Sequence, residues 1–170
     1  DRYGHAVHSY CWMPNHVHMV IEVAQKPLSR IMQNLGTRYT RYVNEKYDRE
    51  GQLFRGRYRA VPVDADSYLL PLVRYVHRNP VEGGLCHGAH RYRWSSHRAY
   101  LKLDSKPWLE KRRVLSLLGP DEESAVEAYR DFMAWPGEGR MARAMDAGFE
   151  EGILGDADFR ARIGRLERSV

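Results

Sequence analysis

Two short apolar, β-prone runs open the chain, residues 5–12 and 16–23, separated by Met13-Pro14-Asn15. Their length and the proline-bearing connection predict a pair of antiparallel strands. From Pro27 to Tyr47 the period changes. Leu28, Ile31, Leu35, Tyr39, Tyr42 and Val43 form a stripe at helical spacing, with Arg30, Arg38, Arg41 and Lys46 elsewhere on the surface. This predicts an amphipathic helix opened by Pro27 and mildly weakened by Gly36. Period two returns from Phe54 to Val63, where Arg55, Arg57 and Arg59 share one face and Phe54, Tyr58 and Ala60 the other, predicting a third strand. A second helix follows, with Asp66 as N-cap and Leu69, Leu72, Val73 and Val76 as its apolar stripe. Pro71 should distort its first turns and Pro80 should end it. After residue 103 the pattern is helical and amphipathic, with segments at 107–118 and 121–135, a Gly-rich break at 137–139 and further helical turns to Val170. Strands with helices inserted between them predict an α+β layer, helices packed on a sheet, in a first unit of residues 1–103 followed by a helical C-terminal extension, 104–170.

Composition narrows the class. With 170 residues and 43% hydrophobic content, the chain suits one compact unit with appendages. No apolar run approaches a membrane span and no N-terminal segment has signal-peptide anatomy, so no membrane partner and a cytoplasmic location are expected. Cys11 and Cys86 form neither a metal-ligand spacing nor a disulfide framework. The sequence shows no helix-turn-helix, internal repeat or nucleotide-binding glycine loop.

Charge says more about the partner. The net +5 hides an asymmetry: residues 121–170 carry twelve acids against seven bases, so the first 120 residues carry +10. Within them, residues 26–60 hold nine Lys or Arg against three acids, interleaved with Tyr39, Tyr42, Tyr47, Phe54 and Tyr58. Cations neutralise phosphates and rings stack on unpaired bases, so the mixture suits a structured or single-stranded nucleic acid. Arg38, Arg41, Lys46, Arg55, Arg57 and Arg59 are the candidate contacts, the last three forming a phosphate track if they share a strand face. The competing reading is a solvated helix face with Tyr39 and Tyr42 turned into the core.

Candidate chemistry lies in two segments. In Asn15-His16-Val17-His18 two histidines stand two residues apart; on a strand they share a face, roughly 7 Å apart at Cα, close enough to share a metal ion. Same-face histidines can equally serve as hydrogen-bonding residues. In Tyr75-Val76-His77-Arg78-Asn79-Pro80, Tyr75 and Asn79 lie at i and i+4 of a helix. A phenol is a potential nucleophile, and an amide oxygen is a neutral ligand for a hard cation such as Mg²⁺ or Mn²⁺. The alternative is a core tyrosine and a C-terminal cap. His77, on the opposite side of the helix from Tyr75, is expected at the surface or an interface. His5, His8, His87, His90 and His97 form no comparable constellation.

The blocks Tyr10-Cys11-Trp12-Met13-Pro14-Asn15-His16-Val17-His18, Leu28-Ser29-Arg30-Ile31-Met32-Gln33, Gly51-Gln52-Leu53-Phe54-Arg55-Gly56-Arg57-Tyr58, Tyr75 to Val81, and Trp94-Ser95-Ser96-His97-Arg98-Ala99-Tyr100 occur in the order of a known family. Residues 3 to about 103 resemble the single-tyrosine HUH transposases, most closely the bacterial branch associated with repetitive extragenic palindromes. The resemblance implies a ferredoxin-like antiparallel sheet with helices on its faces. It implies His16, His18 and Asn79 as ligands of Mg²⁺ or Mn²⁺, and Tyr75 as the nucleophile that nicks and transfers single-stranded DNA bearing hairpin or palindromic elements through a 5′-phosphotyrosine. Family members carry a first strand, loop and helix ahead of the point where this chain starts, so the sheet is expected to have an exposed edge. Two other readings stay open: a degenerate relative that binds structured DNA without cutting it, and a metal-dependent hydrolase using water. Homodimerisation, and whether Tyr75 serves its own subunit or a partner's, is left open too.

Overall fold

The computed structural model describes residues 4–135 and 139–167. Strand β1 (Ala6–Trp12) pairs antiparallel with β2 (Val17–Glu22), in register Trp12 with Val17, Cys11 with His18 and Tyr10 with Met19. A bulge between Val7 and Ser9 shifts the ladder at His8. Helix α1 (Leu28–Tyr47) follows, then α2 (Ala65–Glu82), a 3₁₀ turn at Ala89–Arg91 and the short α3 (His97–Tyr100). The rest is α4 (Arg112–Leu115), α5 (Glu122–Ala134), α6 (Arg140–Glu151) and α7 (Ala157–Glu167).

Helix α2 organises the molecule because its apolar stripe is the longest to find cover. Leu69, Leu72, Val73, Val76, His77 and Pro80 are all buried. Val73 and Val76 are almost fully enclosed, each burial contributing roughly 1.5–3 kcal/mol. Leu69 and Val73 join a core with Tyr10 of β1, Tyr100 of α3, Leu109, Val114 and Leu115, and Ala125, Val126, Tyr129 and Met133 of α5. The helix starts earlier than expected. Asp64, not Asp66, is the N-cap, and its carboxylate accepts from the Asp66 backbone N–H at 3.3 Å and the Ser67 hydroxyl at 3.0 Å. Pro80 does not end it. Both Pro71 and Pro80 lie within the helix, which stops at Gly83, whose N–H donates to the Asn79 carbonyl. Tertiary packing offsets the two main-chain hydrogen bonds that these prolines forfeit.

Three expectations are corrected. Phe54–Val63 is not a strand: it runs irregularly, exposed from Phe54 to Ala60, and pairs only at its end, through a parallel bridge from Val63 to Leu154. A strand needs a partner row of N–H and C=O groups, and none is placed beside most of this segment. The sheet among the described residues is therefore two-stranded, and these two strands alone do not make up a ferredoxin-like topology. Second, 107–118 gives a single helical turn at α4 rather than a full helix, whereas α5 occupies the expected 121–135 with Asp121 capping it. Third, α1 forms where expected but buries none of its residues, and between the two readings open for Tyr39 and Tyr42, both rings are exposed. Of the glycine-rich break, Gly139 is described, at φ +66 ahead of α6; residues 136–138 and 168–170 lie outside the described residues.

The outer edge of β1 is closed by later parts of the chain. Trp12 N–H donates to the Trp94 carbonyl, Ser96 N–H to the Tyr10 carbonyl and Glu110 N–H to the Val7 carbonyl, at 2.9–3.0 Å. The opposite edge of the sheet, along β2, has no paired strand among the described residues. No helix there is long and apolar enough to cross a membrane.

Candidate active site

The tight turn after β1 sets the first half of the site. Met13 N–H donates to the His16 carbonyl at 2.8 Å, which turns the chain so that His16 sits just before β2 and His18 is its second residue. His16 thus precedes the strand rather than opening it, yet the two rings still converge. Their Nε2 atoms are 2.9 Å apart and their ring centroids 4.7 Å.

Helix α2 lies against the sheet and brings the second half. The His18 and Tyr75 rings meet edge to face, 5.7 Å between centroids. Asn79, one turn on, donates from Nδ2 to the Tyr75 carbonyl at 2.8 Å. His16, His18 and Tyr75, from segments sixty residues apart, are therefore gathered at one end of the sheet, with Asn79 one helical turn beyond Tyr75.

The environment tunes these groups. Burial, reinforced by neighbouring His16, lowers the His18 pKa to about 4, so at neutral pH the ring is uncharged with a lone pair to offer. Burial raises the Tyr75 pKa above the ordinary phenol value; a hydrogen bond from Asn79 opposes the rise, and Asp146 and Glu82 add to it. The resting phenol is protonated at neutral pH.

The donor set fits a divalent cation. Two imidazole nitrogens each about 2.1 Å from one ion at near-right angles lie roughly 3 Å apart, which the His16–His18 separation matches. No group of three or more His, Cys, Asp or Glu is placed to hold a metal among the described residues, so any further protein ligand would have to be of another type, such as an amide oxygen. Asn15, which sequence reasoning passed over, supports this arrangement. Its Oδ1 lies 2.7 Å from His16 Nδ1 and accepts that proton, leaving Nε2 as the lone-pair nitrogen. The signal was its position directly before the first histidine.

The candidate DNA contacts are scattered. Arg38, Arg41 and Lys46 are exposed on α1. Arg41 pairs with Glu45 at 2.7 Å, while Lys46 lies over the Tyr42 and Tyr47 rings. Arg55, Arg57 and Arg59 are exposed along the irregular segment, so the strand-face track is absent, and Arg59 stacks on Phe149 of α6. His77 also departs from expectation: it is fully buried, between the Tyr129 hydroxyl at 2.7 Å and the Ser96 hydroxyl at 2.6 Å. Its place in the stripe Val73, Val76, His77, Pro80 was the available signal.

Comparison with known proteins gives one finding. Residues 1–79 match the family model described as "Transposase IS200 like", a segment holding His16, His18 and Tyr75 and ending at Asn79. No curated protein and no solved structure gives a significant match.

Proposed function

We propose that this chain, similar over residues 1–79 to IS200-like transposases, is a metal-dependent enzyme that nicks and transfers single-stranded, hairpin-bearing DNA, with Tyr75 as nucleophile. The observation that carries the reading is the contact of His18 with Tyr75 while His16 converges on His18. A helical tyrosine has no general reason to meet a convergent pair of histidines; a phosphoryl-transfer site does.

The residues divide the work. His16, His18 and Asn79 would hold Mg²⁺ or Mn²⁺, which when bound supplies charge neutralisation at a non-bridging phosphate oxygen. Tyr75 Oη attacks the phosphorus. The Tyr75 Oη–P bond forms as the P–O3′ bond breaks, the phenol proton passes to solvent, and the departing 3′-oxygen gains a proton. The product is a 5′-phosphotyrosine and a free 3′-hydroxyl. Attack by a 3′-hydroxyl on that linkage reverses the step and joins strands without an external energy source. Because the Tyr75 phenol is protonated at rest, its activation depends on positioning and on charge at the phosphate, not on a pre-formed phenolate.

The reading carries further expectations. The catalytic unit is residues 1–103 in a ferredoxin-like setting, the branch is that associated with extragenic palindromes, and the extension 104–170 buttresses α2. A homodimer sharing Tyr75 between subunits remains compatible with it. The test uses a 3′-labelled pool of hairpin-bearing single strands with randomised arms, incubated with Mn²⁺ and run under denaturing conditions. The label should move with the protein in the wild type and not in Tyr75→Phe, which should bind the DNA equally well. Binding without any covalent product from the wild type would replace this reading with that of a structured-DNA-binding relative. Cleavage without a covalent product would point to a water nucleophile.

A further inference from the structure

Behind α2, on the side away from Tyr75, lies a chain of buried polar groups that the chemistry above does not use. Ser96, immediately before α3, is fully buried and its hydroxyl grips β1: it accepts from the Tyr10 N–H at 2.9 Å and lies 3.2 Å from the Tyr10 carbonyl. The same oxygen is 2.6 Å from His77 Nε2. His77 Nδ1 is 2.7 Å from the Tyr129 hydroxyl of α5, which in turn lies 2.6 Å from His97 Nδ1. His77 and Tyr129 are fully enclosed, and His97 is 4% exposed.

With both imidazoles neutral, one arrangement of protons satisfies every contact. His97 Nδ1–H donates to Tyr129, Tyr129 O–H to His77 Nδ1, His77 Nε2–H to Ser96, and Ser96 O–H to the Tyr10 carbonyl. Such a network is directional where the surrounding apolar core is not: side chains of the right volume tolerate a small slide or rotation of a helix, whereas a continuous chain of hydrogen bonds, three of them at 2.6–2.7 Å, does not.

What the network fixes is the distance between the two halves of the site. Tyr10 is adjacent to Cys11, which pairs directly with His18 across the hairpin; His77 is two residues from Tyr75; and His18 meets Tyr75. A closed loop therefore runs from Tyr75 through His77, Ser96, Tyr10, Cys11 and His18 back to Tyr75. The tyrosine oxygen stands about 9 Å from the axis of α2, so a rotation of about 10° moves it about 1.5 Å. A misplacement of about 1 Å can cost a hundredfold in rate.

We propose that His77 and Ser96 are positioning residues that set the nucleophile helix against the histidine hairpin, and that Tyr129 of the C-terminal extension holds His77 for that purpose. The inference rests on the nicking activity proposed above. It makes the extension part of the active machinery, through an interaction on the far side of α2 from the chemistry.

The test compares single-turnover nicking and DNA affinity in wild type, Tyr129→Phe, Ser96→Ala and Val126→Ala, using one hairpin strand recovered from the randomised pool. Val126 packs in the same core but lies outside the network, and so reports the effect of reduced stability alone. Tyr129→Phe and Ser96→Ala should each lower the nicking rate at saturating DNA tenfold or more with affinity unchanged within twofold, while Val126→Ala keeps the wild-type rate. Circular dichroism and thermal melting establish that each variant is folded at the assay temperature; if one is not, the other carries the comparison. Wild-type rates in both network variants, or an equal loss in Val126→Ala, would overturn the positioning role and leave the nicking activity standing. A wild type with no covalent product would overturn the activity itself and this role with it.

Discussion

Acid should destabilise this fold well above the range in which carboxylates titrate, because its core contains imidazoles that have no room for a second proton. His97 is the best gauge. It is 4% exposed, and burial, with nearby His90 as a lesser cause, lowers its pKa to about 4 from the usual 6.5. The sign follows from which state takes up the proton first. Unfolded, His97 is protonated below about pH 6.5; folded, it stays neutral to about pH 4. The unfolded state thus binds more protons in that window, so stability is full above pH 6.5 and is lost as pH falls towards 4. At about 1.4 kcal/mol per pH unit per group, going from pH 7.0 to 5.5 costs about 1 kcal/mol from His97. His77, fully buried and shifted downward by desolvation with His97 as a second cause, adds a loss of the same sign. Even the His97 contribution of about 1 kcal/mol is a measurable fraction of the 5–15 kcal/mol typical of a domain. Urea unfolding followed by tryptophan fluorescence and circular dichroism at pH 7.0, 6.5, 6.0 and 5.5 measures it directly. Stability that stays flat across this range would refute the reasoning, as would ring titrations of both histidines above pH 6 in the folded protein.

Other outcomes follow from the site. Asn15→Ala removes the acceptor that orients His16, and should weaken Mn²⁺ binding tenfold or more by calorimetry while leaving the melting temperature close to that of the wild type, since Asn15 is exposed. His16→Ala and His18→Ala should each abolish metal-dependent nicking in a folded protein, read by the same covalent-product gel. Replacing Arg55, Arg57 and Arg59 together by alanine should flatten the salt dependence of DNA binding, by roughly one unit of slope for each phosphate that is no longer neutralised. An unchanged slope would place the phosphate-binding cations elsewhere, for instance at Arg38, Arg41 and Lys46 of α1.

Local signals carried the reading where burial follows chain periodicity. The stripe Leu69, Leu72, Val73, Val76 specified both the presence of α2 and its buried face, because spacing alone fixes which side of a helix faces inward. The hairpin of β1 and β2 was legible from two short apolar, β-prone runs on either side of a proline-bearing turn. The candidate site came from residue type at set spacing, two histidines on a strand and a tyrosine one turn before an asparagine. Even so, the sequence placed the N-cap two residues late and ended α2 at Pro80, because it could not weigh the hydrogen bonds a proline forfeits against packing from distant segments.

Tertiary structure decided whatever depends on a partner far along the chain. The alternation from Phe54 to Val63 suits a strand, but a strand forms only beside another, and here Leu154 supplies just one bridge. The stripe of α1 has the right period, yet it is only partly covered, by Trp12 and Phe54 near Tyr39, so Tyr39 and Tyr42 stay at the surface. His77 could be assigned to a helix from sequence, but not its company: Tyr129 is 52 residues away and Ser96 is 19. Periodicity determines which way a side chain points from its own element. Which hydrogen-bonding group waits there is set by how several elements pack, and no local pattern encodes that.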